Sequence, residues 1–244
     1  SQDTFIVTVD LFLSGPRVSW TCCRIKSRPG RMVPAFYFAG SPGRDAGLLV
    51  QLRPWTPGAP RVVYENPWIR VSDQAAIAPT GHPAQYGWVG FKNLAVAILP
   101  LHDDGTVTLV GQHRFPLMDY SWEIPEGGAP LDEDPLTGAR RELAEETGLA
   151  AAEWREVLRA QLSNSVTDER MVGYLALGLS KGEGQETADE TEQLSVARAP
   201  FREVLDAAIA GHIQDMLTVA MLLRSYHMAR EGSLPDGLTR AMLD

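Results

Sequence analysis

Apolar and polar positions change rhythm along this chain, and the changes mark its elements. Leu94 to Leu101 is a nearly unbroken apolar run, which predicts a buried strand. Asp103-Asp104-Gly105 then reads as a hairpin turn, with Thr106 to Gln112 returning as an alternating strand. Val62 to Val71, Ser121 to Ile124, Trp154 to Leu162 and Met171 to Leu179 read as further strands. Between Ile124 and Trp154, Leu136, Ala139 and Leu143 recur at the spacing of one helix face. Phe201 to Ala210 and Asp215 to Arg230 read as closing helices, the second with a stripe of Ala220, Leu223 and His227 flanked by Leu217 and Met221. Strands, one central helix, more strands and then helices predict an α+β layered fold.

The first quarter of the chain lacks such rhythm. Phe5 to Leu13 predicts one strand. Residues 27–59 are rich in Arg, Pro and Gly, with turn pairs at Pro29-Gly30, Pro42-Gly43 and Pro57-Gly58. The expected organisation is therefore an N-terminal extension or small lobe, residues 1–61, followed by one domain, residues 62–244.

The central helix carries the candidate chemistry. Asp134 is a good N-cap, Pro135 suits the first helical position, and Gly148 is a natural stop. Gly138 inside the helix costs about 1 kcal/mol against Ala, which marks either a close backbone approach or a tolerated weakness. Opposite the apolar stripe, Glu142, Glu145 and Glu146 stand three and four residues apart and project to one side. Like charges at that spacing repel, and a hard divalent cation relieves the repulsion. Taken alone, three such glutamates read more simply as a solvated acidic face.

The spacing around them is more specific. Gly127, Glu133, Arg141, Glu142, Leu143, Glu145, Glu146, Gly148 and Leu149 match every fixed position of G-x5-E-x7-R-E-U-x-E-E-x-G-U, where U is bulky aliphatic. The chain thereby resembles the Nudix hydrolases, with the box at 127–149. That resemblance implies an α/β/α sandwich with a mixed sheet between helices. It implies Mg²⁺, with Mn²⁺ as substitute, held by Glu142 and Glu146 and by the Glu126 backbone carbonyl. Glu133 and Arg141 become a structural ion pair.

Three flanking features resemble the ADP-ribose pyrophosphatase and nucleoside-diphosphate-sugar branch. Gln112-His113-Arg114 followed by Trp122-Glu123-Ile124-Pro125-Glu126-Gly127 is similar to its Q-x-R and E-(L/I)-P-x-G elements. Arg114 and Glu123 are then substrate-binding residues, Arg114 through bidentate contacts to phosphate or ribose oxygens. An acidic loop at 189–196 places Glu190 as catalytic base and Glu192 as a further metal ligand, with Glu145, Glu146 and Glu169 as alternative acidic catalytic groups. Gly211-His212-Ile213-Gln214-Asp215 resembles the link between that branch's last two helices. Trp68, with Tyr64 and Tyr86, is a candidate for stacking on the base, against an ordinary packing role.

The implied reaction is Mg²⁺-dependent cleavage of the pyrophosphate of ADP-ribose or a related nucleoside diphosphate sugar. Another nucleotide (a triphosphate, a dinucleotide, GDP-mannose) and a non-catalytic ADP-ribose sensor are the alternatives. The family also implies a homodimer.

Charge and cysteines narrow the rest. Residues 1–62 carry a net +5 and the remainder a net −14, and so acidic a body argues against nonspecific nucleic-acid binding. No apolar run approaches the roughly 20 residues of a membrane helix. Neither a secretory signal nor a disulfide framework is visible: the two cysteines, Cys22 and Cys23, are adjacent. The expectation is a cytoplasmic enzyme with a small-molecule nucleotide substrate, no nucleic acid and no membrane partner.

Overall fold

The structure, a computed structural model, describes residues 54–182 and 193–244, and before them only the backbone of four short strands. These are β1 (Ile6–Asp10), β2 (Ser19–Cys23), β3 (Lys26–Ser27) and β4 (Arg31–Met32). The expected strand Phe5–Leu13 contains β1, and its remaining residues lie outside the described ones. The chain divides into two units, residues 1–59 with 75–85, and residues 60–74 with 86–244. In the first unit β1 pairs antiparallel with β2, and β3 with β4. There too β5 (Thr56–Pro57) pairs with the end of β7 (Ile69–Ile77).

Two sheets of the second unit frame the site. β12 (Glu126–Pro130), β9 (Asn93–Pro100), β14 (Arg170–Lys181) and β13 (Leu149–Gln161) lie side by side in that order. The central pair, β9 and β14, is parallel and the outer pairs are antiparallel, so the sheet is mixed. Beside it β10 (Thr106–Arg114) runs between β11 (Asp119–Glu123) and β15 (Ser195–Pro200).

Both faces of the mixed sheet are covered, which explains why its central strands read as continuous apolar runs. Alternation along β9 and β14 sends Val96, Ile98, Val172, Tyr174 and Ala176 to one side, where they pack with Ala139 and Leu143 of α1 (Pro135–Thr147). It sends Ala97, Leu99, Met171 and Leu175 to the other side, against residues of α2 (Phe201–Ile209), α3 (Met216–Arg230) and α4 (Asp236–Leu243). This is the expected helix–sheet–helix sandwich of the α+β class.

The ends of α1 follow the sequence. The Asp134 side chain accepts from the Leu136 N–H, Pro135 opens the first turn, and Gly148 takes the left-handed conformation (φ 66°), its N–H closing on the Ala144 carbonyl. Gly138 marks a close approach: a Cβ there would lie 2.7 Å from the Ala129 Cβ on β12. Gly138→Ala gains helix propensity but overpacks a buried contact, and the second effect is larger. The expected result is a loss of about 1 kcal/mol. A thermal melt that rose instead would show that β12 moves aside freely.

Elsewhere the structure departs from the sequence pattern. The expected strand Val62–Val71 is two, β6 (Arg61–Glu65) and β7, broken where the Asn66 side chain accepts from the N–H groups of Trp68 and Ile69. Such an Asx turn, helped by Pro67, outcompetes strand continuation. The turn at residues 102–105 forms, with Gly105 at φ 79°. Its flanking strands do not make a hairpin ladder, because only Leu101 and Val107 bridge before β9 and β10 enter different sheets. The α3 stripe is also displaced: Leu217, Met221, Leu222, Ser225 and Met228 are buried, whereas Leu223 and His227 are exposed. β8 (Pro83–Phe91), β12 and α4 carry no pattern strong enough to announce them.

Candidate active site

The site is assembled where α1 crosses the edge strand β12. The pairing of Glu126 with Ala97, together with the Ile98 N–H donated to the Pro125 carbonyl, turns the Glu126 peptide groups away from the sheet. Its N–H instead donates to Oε2 of Glu146 at 3.1 Å. In an extended strand the N–H and C=O of one residue point the same way, so the Glu126 carbonyl also faces the helix.

Glu142 reaches the next residue of the strand. A Cβ on Gly127 would collide with the Glu142 carboxyl group, so only glycine leaves room for that carboxylate. Glu145 does not join the other two. Its side chain is half exposed and turned to Arg141, 3.9 Å away. The three helix glutamates therefore do not converge as one tight cluster. Two fold onto the start of the box, and the third stands at its rim.

Arg141 ties the loop to the helix. Its guanidinium lies 3.2 Å from Glu133 and 3.1 Å from Glu142, and it donates to the Gly128 carbonyl at 2.8 Å. One cation thus spans the box loop, the strand and the helix.

A second acidic group adjoins the first. Arg114, at the end of β10, donates from Nε to both oxygens of Glu123 (3.0 and 3.1 Å) and from an Nη to Oε1 of Glu126 (2.6 Å). Glu123 is buried, and its carboxylate accepts a fork of hydrogen bonds suited to guanidinium. Burial works against the charge of Arg114. The Glu123 hydrogen bond and the Glu126 charge outweigh it and hold the guanidinium above its ordinary value. Burial, reinforced by the charges of Asp215 and Glu123, pushes the Glu126 carboxyl well above the usual carboxylate range.

Asp215 was legible in the sequence only as part of a linker pattern. In the structure it caps α3, accepting from the Thr218 N–H at 2.7 Å, and stands with Glu123 and Glu126. The Thr218 hydroxyl accepts from the Ile124 N–H at 3.0 Å, fastening the start of α3 to the peptide between Glu123 and Glu126. Among the described residues, these three carboxylates form a set in which one oxygen from each lies within 4.8 Å of the others.

Glu190 and Glu192 lie outside the described residues. Trp68 is largely exposed in the turn between β6 and β7, and among the described residues no ring contact or hydrogen bond joins its side chain to Arg114. Tyr64 is exposed too, and the Tyr86 hydroxyl donates to the Ser165 carbonyl at 2.6 Å. Burial and the charge of Asp168 raise the Glu169 carboxyl, but among the described residues no hydrogen bond or ion pair links it to the α1 glutamates.

The sequence profile of the NUDIX domain matches residues 91–218, just over half of the chain. The chain belongs to the Nudix family. Its matched span contains the edge strand, the box helix, Arg114 and Asp215. Relatives include the ADP-ribose pyrophosphatase of Mycobacterium tuberculosis, 28% identical over 151 residues that cover 62% of this chain and 73% of the relative. The ADP-ribose pyrophosphatase of Bacillus subtilis is 33% identical over 124 residues, 51% of this chain and 67% of the relative. Among solved structures, an ADP compounds hydrolase superposes with a TM-score of 0.67 at 20% identity, covering 75% of this chain and 99% of that one. That likeness establishes the Nudix fold. Among the described residues no helix is long and apolar enough to cross a membrane.

Proposed function

We propose that this Nudix protein is a cytoplasmic, homodimeric pyrophosphohydrolase. It cleaves ADP-ribose or a related nucleoside diphosphate sugar into a nucleoside monophosphate and a sugar phosphate, with Mg²⁺ as its cofactor and Mn²⁺ as a substitute. The observation that carries the reading is the fold-back of Glu142 and Glu146 onto the Glu126–Gly127 peptide, beside the buried Arg114 fork. The two ADP-ribose pyrophosphatase relatives direct the choice of substrate.

The donor set fits a hard cation. Glu142, Glu146 and the Glu126 carbonyl offer oxygen alone, and Gly127 keeps space open between strand and helix. Glu192 completes the proposed ligands. A bound divalent ion supplies positive charge that offsets the pyrophosphate's negative charge. The remaining work belongs to the chain. Arg114, aimed by Glu123, holds a phosphate or ribose oxygen. Glu190 accepts the proton of the attacking water, with Glu145 as the alternate acceptor at the rim. Glu133 and Arg141 keep the loop and helix in register.

The reading extends to the rest of the molecule. The Nudix domain spans residues 62–244, with residues 1–61 as an added lobe. The exposed strand residues Val62, Val63 and Tyr64 offer an apolar surface for a second copy to bury. The adjacent Cys22 and Cys23 suit a reducing compartment.

Incubation of the full chain with Mg²⁺ and ADP-ribose is expected to give AMP and ribose 5-phosphate, and excess chelator is expected to abolish both. Parallel reactions with ADP-glucose, GDP-mannose, NADH and nucleoside triphosphates rank the substrates. The reading fails if no diphosphate in that panel is cut.

A further inference from the structure

Around Arg114 the charges do not balance. Glu123, Glu126 and Asp215 bring three carboxylates to one place, and the guanidinium answers one of them. Three elements supply them: Glu123 ends β11, Glu126 opens β12, and Asp215 caps α3. A fold that needed only a seat for Arg114 has it in Glu123, whose two oxygens already accept from the guanidinium. Glu126 and Asp215 then add acid to a pocket that burial makes costly for unbalanced charge.

An independent observation shows what the pocket lacks. Oε1 of Glu126 accepts from Arg114, but Oε2 is buried with no hydrogen-bond partner. Buried carboxylate oxygens are ordinarily satisfied, so this orphan among acidic neighbours calls for a positive partner, either a proton or a cation that displaces it. Asp215 uses Oδ2 for its cap, and no described hydrogen bond occupies its other oxygen. A single divalent cation would bring the three carboxylates and the guanidinium to neutrality. Oxygen donors at this spacing suit Mg²⁺ or Mn²⁺.

We infer that Glu123, Glu126 and Asp215 form a divalent-cation site of their own, distinct from the ligands supplied by Glu142 and Glu146. The ion shares the carboxylates with Arg114 and fixes the guanidinium at the mouth of the box. The site is defined by side chains outside the α1 helix, so it does not depend on which nucleotide the protein cuts, or on whether it cuts one.

Mn²⁺ alone is the probe, and ions bound per chain are counted by electron paramagnetic resonance of the free metal, without nucleotide. The full-length parent is compared with Asp215→Asn, Glu126→Gln and the double variant Glu142→Gln/Glu146→Gln. Asn still caps a helix, so Asp215→Asn removes charge while keeping α3 closed. A cooperative thermal transition in each variant establishes folding. The expected result is that Asp215→Asn and Glu126→Gln each bind one ion fewer than the parent, while the double variant keeps that ion. Equal Mn²⁺ counts in the parent and both single variants would overturn the inference, as would loss of all binding in the double variant. Failure to hydrolyse ADP-ribose would leave the count untouched, so the two readings fail separately.

Discussion

Glu146→Gln is expected to lower turnover of ADP-ribose by about 10³-fold, the scale on which removing a metal-held charge raises a phosphoryl-transfer barrier by several kcal/mol. The fold is expected to survive. The substituted amide keeps a carbonyl oxygen that can still accept from the Glu126 N–H, so the contact between α1 and β12 persists while the negative charge is lost. Turnover and melting temperature measured on the same preparation separate the two effects. A variant that melts with the parent and turns over at the parent's rate removes Glu146 from the proposed metal ligands. A variant that melts far below the parent makes it a residue of architecture instead.

The second large effect belongs to Arg114. Arg114→Ala strips the counter-charge from Glu123, which is 3% exposed, and from Glu126 beside it. Breaking a fully buried pair from one side costs about 3–5 kcal/mol. Arg114 keeps a third of its side chain in solvent, so a loss of about 2–3 kcal/mol is expected. For a domain of this size that lowers the melting temperature by about 5–10 °C. Arg114→Lys restores a charge without the fork and is expected to fall between parent and Ala in stability. If the guanidinium also grips substrate, both variants raise KM for ADP-ribose by at least about tenfold, consistent with losing one charged hydrogen-bonding contact. Parent-like melting of the alanine variant would show that the carboxylates find another partner.

The box helix was the most legible part of this chain because each of its signals is local. Asp134, Pro135 and Gly148 set its ends within a few residues of themselves, and the stripe ending at Leu143 gives its buried face. Long apolar runs announced β9 and β14 for the same reason: a strand covered on both sides needs no polar face. The pattern failed where distant partners decide. β12 is a Gly-Gly-Ala-Pro stretch that no propensity favours, and it is a strand because β9 offers an edge and α1 needs space at Gly127 and Gly138. The strands around the turn at 102–105 look like a hairpin until the two sheets claim one each. In α3 two apolar stripes competed, and tertiary packing chose the one through Leu217 and Met221.

The site shows the same division. Spacing within α1 carried the resemblance to the Nudix box, and that resemblance named Glu142, Glu146 and the Glu126 carbonyl. Spacing could not reveal that Glu145 turns to Arg141, because both rotamers suit the helix. Nor could it bring in Asp215, which lies far along the chain and reaches the pocket only through the packing of α3 beneath the Ile124 peptide. A capping aspartate beside a buried turn is an ordinary sight in sequence, and only the fold reveals its neighbours.

The parallel pair β9–β14 forms a keel that carries no group proposed to meet substrate, while every such group among the described residues sits on the rim: the outermost strand, the box helix and the strand ends of the smaller sheet. Selection can therefore redraw what this scaffold accepts by rebuilding its margins, residue by residue, without endangering the part that makes it fold. Architecture and appetite evolve on separate ledges of the same molecule.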